Sequence, residues 1–242
     1  MTEEEIIKNA IEFAKRNRNR IAKELVDANR FLPSSTPISV FMAGSPGAGK
    51  TEFSKNLISL IQDFSDKTTG VIRIDPDDIR NQFPEYTGKN SYLFQSAVTY
   101  IVEKVHDLVL ERKQNFILDG TFSKYDKAIF NIKRSLKRSR PVFIFYVFQQ
   151  PEIAWKFTQS REEVEGRHIP KSVFIEQFLG ARYVIDKILS EFKGQEFVSV
   201  YMVKKDFNSN TVEKVVRVEH NNSIDELLPI KYSKEDLEKI IL

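Results

Sequence analysis

Residues 44–51 read Gly44-Ser45-Pro46-Gly47-Ala48-Gly49-Lys50-Thr51, which matches the pattern G-x-x-x-x-G-K-[ST]. An apolar run precedes this stretch and an amphipathic run follows it, as the pattern requires. The glycines let the backbone curl, so that its N–H groups and the start of the next helix meet the β-phosphate of a nucleotide. Lys50 would bridge the β- and γ-phosphates, and the Thr51 hydroxyl would bind Mg²⁺. The stretch therefore predicts a phosphate-binding loop for a nucleoside triphosphate.

Outward from this loop, short apolar runs alternate with helical patterns. Five runs are typical of buried strands: Ile38–Ala43, Val71–Asp75, Asn115–Asp119, Val142–Phe148 and Phe197–Val203. Helical spacing separates them over Thr51–Phe64, Tyr92–Arg112, Lys124–Arg138 and Lys171–Phe192. Near the end, the sequence predicts a strand over Val215–Val218 and a helix capped by Ser233. Because strands covered on both faces are apolar throughout, we expect an α/β fold, a P-loop NTPase-type parallel sheet of about five strands with helices on both faces.

The first 36 residues form a separate pattern. Thr2 and Glu5 fit a capping box, apolar residues follow at helical spacing, and Leu32–Pro37 has the composition of a linker. We therefore expect residues 1–36 to be a helical arm with a linker, and residues 37–242 to be the main domain. A helix packed on that domain is one interpretation of the arm, and a regulatory or partner-binding arm is the other.

The composition of the 242-residue chain excludes several functional classes. A net charge of +3 is weak evidence for a nucleic-acid partner, and the absence of Cys excludes disulfides, cysteine zinc sites and thiol nucleophiles. The longest apolar run, Val142–Phe148, is far shorter than the ~20 residues of a membrane-spanning helix. We interpret the basic run Lys133–Arg140 as a solvated helix face. A cytoplasmic protein without membrane or nucleic-acid partners is expected.

Two carboxylates follow predicted strands on the edge that carries the phosphate loop. Asp119 ends an apolar strand and would hold Mg²⁺ through water; the alternative is that it caps the next helix. In Asp75–Arg80, Asp75 would cap a short helix, and Asp77 would lie in its first turn. Asp77 could accept the proton of an attacking hydroxyl. The alternative is that it only stabilises the start of the helix.

Two arginines lie six residues apart between the fourth predicted strand and a long helix, where nucleotide kinases carry a lid. Arg161 and Arg167 could hold the β- and γ-phosphate oxygens with planar donors. The alternative is surface pairing with the neighbouring glutamates, which is worth about 0–1 kcal/mol. A GTPase is disfavoured, since Val203–Asp206 lacks the leading polar residue of the base-reading motif. A small-molecule kinase is favoured.

Taken in their order along the chain, these motifs resemble those of the zeta-toxin family of P-loop kinases in bacterial toxin–antitoxin systems. The matching stretches are Gly44–Thr51, Ile74–Arg80, Asp119–Thr121, and Arg161 with Arg167. The resemblance implies ATP and Mg²⁺ as cofactors and phosphorylation of the 3′-hydroxyl of the amino sugar in UDP-N-acetylglucosamine. It also implies either an antitoxin protein as partner or restraint in cis by the N-terminal helix.

The resemblance further implies a role for individual residues. Asp77 would be the base that activates the acceptor hydroxyl, while Lys50, Arg161 and Arg167 would stabilise the transferred phosphoryl group. The implied contacts to the substrate are Arg80, Glu103, Asp119 and Thr121. Asp119 thus has two implied roles, in metal binding and in substrate binding.

One departure from the family pattern concerns the acceptor. Phe122-Ser123 stands where the sugar-nucleotide kinases of the family carry a small residue and a basic one. A different sugar nucleotide, or another hydroxyl compound, is therefore an open alternative. Two further alternatives are a polynucleotide 5′-hydroxyl kinase and a non-catalytic ATP-dependent binding switch.

Overall fold

The computed structural model describes residues 1–64, 70–206, 211–219, 224–228 and 230–241. Its strands are β1 (Ser39–Ala43), β2 (Ile72–Ile74), β3 (Phe116–Leu118), β4 (Val142–Phe148), β5 (Val198–Lys205) and β6 (Val212–Val218). Its helices are α1 (Glu3–Leu25), α2 (Lys50–Phe64), α3 (Pro76–Arg80), α4 (Gln95–Glu111), α5 (Tyr125–Leu136), α6 (Pro151–Glu165), α7 (Lys171–Glu191), α8 (Ile224–Leu227) and α9 (Lys234–Ile240). A 3₁₀ turn, Ser91–Phe94, leads into α4.

The six strands form one sheet in the order β2-β3-β1-β4-β5-β6. The first five strands of this order are parallel, and β6 pairs antiparallel with β5 at the edge. The predicted fold class is confirmed, and the predicted strand at 215–218 is the end of β6. Strand β1 lies in the middle of the sheet, with β3 on one side of it and β4 on the other. The loop after β1 therefore sits at the carboxyl edge, where the strand order reverses and where ligands bind in such sheets.

Alternate residues of β1 pack into two different cores. Phe41 joins the large core under α4, α5 and α7, whereas Val40 and Met42 join a smaller core under α2. All five residues of β1 are buried, as expected for a strand with helices on both faces. In the smaller core the rings of Phe53 and Phe145 lie 5.4 Å apart.

The N-terminal helix α1 packs on α4 and shares the large core. Its buried face is made of small and aliphatic side chains, Ala10, Ala14, Ile21 and Ala22. Just after the helix, the carbonyl of Val26 accepts hydrogen bonds from Arg112 Nη1 (2.7 Å) and Gln114 Nε2 (3.1 Å). Thr2 and Glu5 form the predicted capping box. Of the two interpretations of the arm, the structure shows a helix packed on the domain.

The basic run at 133–140 differs from the solvated face expected for it. Lys133 is exposed, but Arg134 is largely covered and pairs with Asp107. Arg140 is only 1% exposed, and its guanidinium donates to Ser39 Oγ and to two backbone carbonyls at the amino edge of the sheet. The run therefore contains both exposed surface cations and a buried arginine, Arg140, that links the ends of neighbouring strands.

None of the helices in the described ranges has the length and apolar character needed to cross a bilayer.

Candidate active site

A cleft of about 450 Å³ opens at the carboxyl edge of the parallel strands. The phosphate loop forms one side, and α3, α6 and the start of α7 surround the remainder. The predicted residues that line it are Pro46, Gly47, Gly49, Lys50, Thr51, Asp77, Arg80, Asp119, Thr121, Arg161 and Arg167. Lys50 and Arg167, which are 117 positions apart in the chain, therefore meet around one space.

The phosphate loop has the backbone geometry that its glycines predict. Gly47 has φ +69°, and a Cβ there would lie 1.9 Å from the carbonyl oxygen of Ala154 on α6. A side chain is thus excluded both by the backbone angle and by the close approach of α6. Helix α2 begins at Lys50, which directs its positive end into the cleft. The loop is a cradle for an anionic group.

The ammonium of Lys50 donates to the carbonyl of Ser45 at 2.6 Å, across the mouth of the loop. Burial lowers the pKa of Lys50 to about 8, and the charges of Arg167 and Arg161 act in the same direction. Asp119 and Asp77 partly oppose this shift. A buried cation among other cations is stabilised by an incoming polyanion, which is what a triphosphate supplies.

Helix α3 places Asp77 over the cleft. Asp75 caps the helix by accepting from the Asp77 N–H at 2.8 Å, and Pro76 occupies the first turn, as predicted. The Asp77 carboxylate pairs with Arg80 through one oxygen and with Arg167 through the other. Two guanidinium groups therefore hold the carboxylate in one orientation at the end of β2.

A buried ion-pair network supports this edge of the sheet. Arg73, on β2, pairs with Asp75 and donates to Asp119 Oδ2 through Nη2 at 2.8 Å. Ser54 Oγ, on α2, donates to the same oxygen at 2.9 Å. Burial, with the nearby charge of Asp77, raises the pKa of Asp75 to about 6, although Arg73 opposes the shift. The network fixes Asp119 at the base of the cleft.

The residues present fit a magnesium ion held mainly by phosphate oxygens and water. The Thr51 hydroxyl and the Asp119 carboxylate both line the cleft, and both are the hard oxygen ligands that Mg²⁺ prefers. The hydrogen bonds from Ser54 and Arg73 end on Asp119 Oδ2, so Oδ1 takes no part in them. Within the described ranges, His, Cys, Asp and Glu side chains form no cluster of three or more suited to a metal. The described residues therefore do not form a metal site in which all ligands come from protein side chains.

The two lid arginines lie on and just after α6. Arg161 projects from the helix into the cleft, and Gly166 ends the helix with φ +69° immediately before Arg167. Burial lowers the pKa of Arg167, and the charge of Asp77 opposes that shift. Both guanidinium groups line the same space as Lys50 and Arg80, so the cleft combines these four cations with carboxylates that include Asp77.

A family model described as Zeta toxin matches residues 22–221. The chain belongs to the zeta-toxin family. The match covers the phosphate loop, α3, both lid arginines and the described strands, so the resemblance stated from the sequence is confirmed. Family membership, together with the phosphate loop in the cleft, makes this chain a phosphotransferase of the toxin type.

Solved structures share the fold of this zeta-toxin chain. A chain from the PezAT chromosomal toxin–antitoxin system of the human pathogen Streptococcus pneumoniae superimposes with a TM-score of 0.65 at 16% identity, covering 94% of this chain and 92% of that chain. A chain of the AvrRxo1-ORF1:-ORF2 complex gives 0.65 at 15% identity, covering 93% and 71%. A structure of AvrRxo1-ORF1:-ORF2 with ATP gives 0.61 at 15% identity, covering 94% and 70%. No curated protein sequence matches the chain.

One predicted substrate contact of the zeta-toxin chain lies outside the cleft. Glu103, on α4, pairs with Lys127 at 2.9 Å and with Arg134 at 3.3 Å. It lines a separate hollow of about 180 Å³ that also includes Arg18 of α1. Glu103 is therefore not among the residues that line the space shared by Asp77 and Lys50. The substrate contact implied for it is not supported by this geometry.

The structure adds residues that the sequence analysis did not select. Gln95, the first residue of α4, lines the cleft two turns before Glu103, and Gln177 of α7 also lines it. Arg73 is the cation at the centre of the buried network. A charged residue inside an otherwise apolar strand is a signal for such a network, because unpaired buried charges are costly. Neither glutamine carries a comparable sequence signal.

Proposed function

We propose that this zeta-toxin chain is an ATP- and Mg²⁺-dependent kinase that phosphorylates a hydroxyl of a small-molecule acceptor. The acceptor we propose is a sugar nucleotide of the UDP-N-acetylglucosamine class. One observation carries the proposal: Lys50 of the phosphate loop, the Asp77 carboxylate and the guanidinium groups of Arg161 and Arg167 line the same cleft. Carboxylate, cations and phosphate cradle are the three parts that phosphoryl transfer to an alcohol needs.

In the proposed reaction each charged group has one task. Asp77 accepts the proton of the acceptor hydroxyl as its oxygen forms a bond to the γ-phosphorus. The bond from the γ-phosphorus to the bridging oxygen breaks, and its electron pair stays on ADP. Lys50, Arg161 and Arg167 stabilise the negative charge on the phosphoryl oxygens during transfer. Mg²⁺ would neutralise phosphate charge, with Thr51 and Asp119 as its protein ligands.

In this scheme Arg167 has two competing partners, the Asp77 carboxylate and the γ-phosphate. In the structure it pairs with Asp77. We infer that the γ-phosphate draws this guanidinium away from the carboxylate, which frees Asp77 Oδ2 for the acceptor proton. Arg80 stays on the other oxygen and keeps the carboxylate in place.

The structural neighbours support the choice of nucleotide and of partner. AvrRxo1-ORF1:-ORF2 has been solved with ATP, and PezAT is a toxin–antitoxin system. We therefore propose ATP as phosphate donor, an antitoxin protein as partner and, since the reaction consumes ATP, the cytoplasm as its place. Restraint in cis by α1 has less support, because none of the described residues of α1 lines the cleft.

The test is transfer of label from γ-labelled ATP with Mg²⁺ to UDP-N-acetylglucosamine. We expect a labelled sugar nucleotide with the intact chain and none with Lys50→Ala. Label on another hydroxyl compound alone would reject the acceptor and retain the kinase, and label on the 5′ ends of oligonucleotides would make it a polynucleotide kinase. ATP binding without transfer to any acceptor, and unaffected by Asp77→Ala, would replace the proposal with a binding switch.

A further inference from the structure

The side chain of Gln95 has a defined orientation within the cleft. Its Oε1 lies 2.9 Å from Arg80 Nη2. A guanidinium only donates hydrogen bonds, so the atom facing it must be the amide oxygen. The amide nitrogen of Gln95, with two N–H donors, therefore points away from Arg80, and the residue itself is exposed in the cleft.

Arg80 links this amide to the proposed base. Its Nη1 pairs with Asp77 Oδ1, while its Nη2 donates to Gln95. The Arg80 side chain is only 7% exposed, so its guanidinium is confined between the two partners. Two hydrogen bonds through one buried group thus set the position of Gln95 relative to the Asp77 carboxylate. A group bound by Gln95 would be held in register with the atom that takes the proton.

Charged and uncharged groups both line the cleft that Gln95 shares. Lys50 belongs to the phosphate loop, and the guanidinium groups of Arg80 and Arg167 pair with Asp77. Uncharged groups of the cleft include Gln95, Gln177 and Thr121. Carboxamides and hydroxyls suit an uncharged polyol, because each such group can match an alcohol or an acetamido oxygen. A carboxylate on the acceptor would instead meet the negative charge of Asp77.

We propose that Gln95 is a specificity-determining residue, which donates an N–H to an oxygen neighbouring the reacting hydroxyl of an uncharged sugar ring. This inference rests on the proposed kinase function and deepens it. Arg80, which was implied to touch substrate, acts instead as a positioning residue through Asp77 and Gln95.

The test compares Gln95→Ala, Gln95→Glu and the control Ser96→Ala in steady-state transfer from ATP to UDP-N-acetylglucosamine. Ser96 is the exposed neighbour on the same helix and does not line the cleft. Loss of one uncharged hydrogen bond predicts an acceptor KM raised about 3- to 10-fold in Gln95→Ala, with the KM for ATP changed less than about 2-fold. Gln95→Glu keeps an oxygen toward Arg80 but removes the donors and adds charge, so we expect a larger rise. Ser96→Ala should match the wild type.

The outcomes separate this inference from the kinase proposal. An unchanged acceptor KM in Gln95→Ala, in a chain that does phosphorylate the sugar nucleotide, would overturn the role of Gln95 and leave the kinase standing. Equal rises in both KM values, or a lowered melting temperature in Gln95→Ala, would reduce Gln95 to a structural residue. If the wild type transfers phosphate to no hydroxyl acceptor, both proposals fall together.

Discussion

At the scale of single residues, Asp77 is the group whose charge matters most for the proposed chemistry. Asp77→Asn keeps the shape of the side chain but removes its capacity to accept a proton, so we expect kcat to fall by about 10²- to 10⁴-fold. The affinity for ATP should change little, because the phosphate loop is untouched. Transfer kinetics and direct ATP titration measure the two quantities separately.

The control for this substitution is its chain neighbour. Asp78→Asn removes a carboxylate that is 68% exposed and pairs with Arg73 outside the cleft. Its kcat should stay within about 2-fold of the wild type, since the Asp78 carboxylate lies largely in water and Arg73 keeps its pairs with Asp75 and Asp119. If Asp77→Asn lowers ATP affinity as much as turnover, its carboxylate serves nucleotide binding and not proton transfer.

The protonation of Lys50 predicts how nucleotide affinity depends on pH. Its pKa of about 8 means that its ammonium loses its proton as the pH rises through 8. Triphosphate favours the charged form, so binding takes up a proton above that pH and affinity falls by up to about tenfold per pH unit. Calorimetric titration with ATP from pH 7 to 9 measures this slope.

Lys50→Arg provides the comparison for the pH profile. Arginine remains charged over the whole range, so this variant should bind ATP more weakly but with a flatter profile. A wild-type affinity that stays constant between pH 7 and 9 would show that the Lys50 ammonium does not titrate in this window.

At the scale of elements, the phosphate loop packs directly against α6. Gly47→Ala would drive a Cβ to 1.9 Å from the backbone of Ala154, at a φ of +69° that disfavours side chains. The clashing atom is a backbone carbonyl oxygen, which cannot rotate away as a side chain could, so either the loop or α6 must move. We expect loss of measurable ATP binding and a free energy of unfolding lowered by roughly 2–4 kcal/mol, read by titration and denaturant melts.

A substitution at a second glycine distinguishes the effect of the steric clash from the effect of the backbone strain. Gly194, which follows α7, has a similar φ of +79°, but a Cβ there would meet nothing within 4 Å. Gly194→Ala should cost only the strain, about 1–2 kcal/mol, and leave ATP affinity unchanged. Equal effects of the two substitutions would show that the approach of α6 to the loop is unimportant.

At the scale of the whole molecule, α1 is part of the domain core and not a detachable arm. Ala14 is 0% exposed at the contact with α4, so Ala14→Gln must bury an amide and a longer chain. We expect the free energy of unfolding to fall by roughly 2–4 kcal/mol. Lys23→Gln introduces the same residue on the exposed face of α1 and should stay within about 0.5 kcal/mol. Thermal and denaturant unfolding measure both.

The same packing bears on regulation. Deletion of residues 1–35 should expose the apolar surface of α4 and yield an unstable chain, and growth arrest should require the intact protein. Growth arrest that appears only after the deletion would instead support restraint in cis by this segment.

Local sequence was sufficient for the features that depend on near neighbours. Residues Gly44–Thr51 predict the phosphate loop because all the glycines, the lysine and the threonine that form it lie within eight consecutive residues. Asp75 and Pro76 predict the start of α3 for the same reason, since a cap involves residues two positions apart. The buried strands follow from their unbroken apolar runs.

Only the tertiary structure decided which side chains share the cleft. Asp77 and Arg167 are 90 residues apart, and they meet because β2 and β4 run parallel in one sheet, so the segments that follow these strands lie at the same edge. Along α4, two turns separate Gln95 in the cleft from Glu103 in a different hollow. The chemistry of each residue can be inferred from its type, but the space it faces depends on the direction in which its helix packs, which no local pattern encodes.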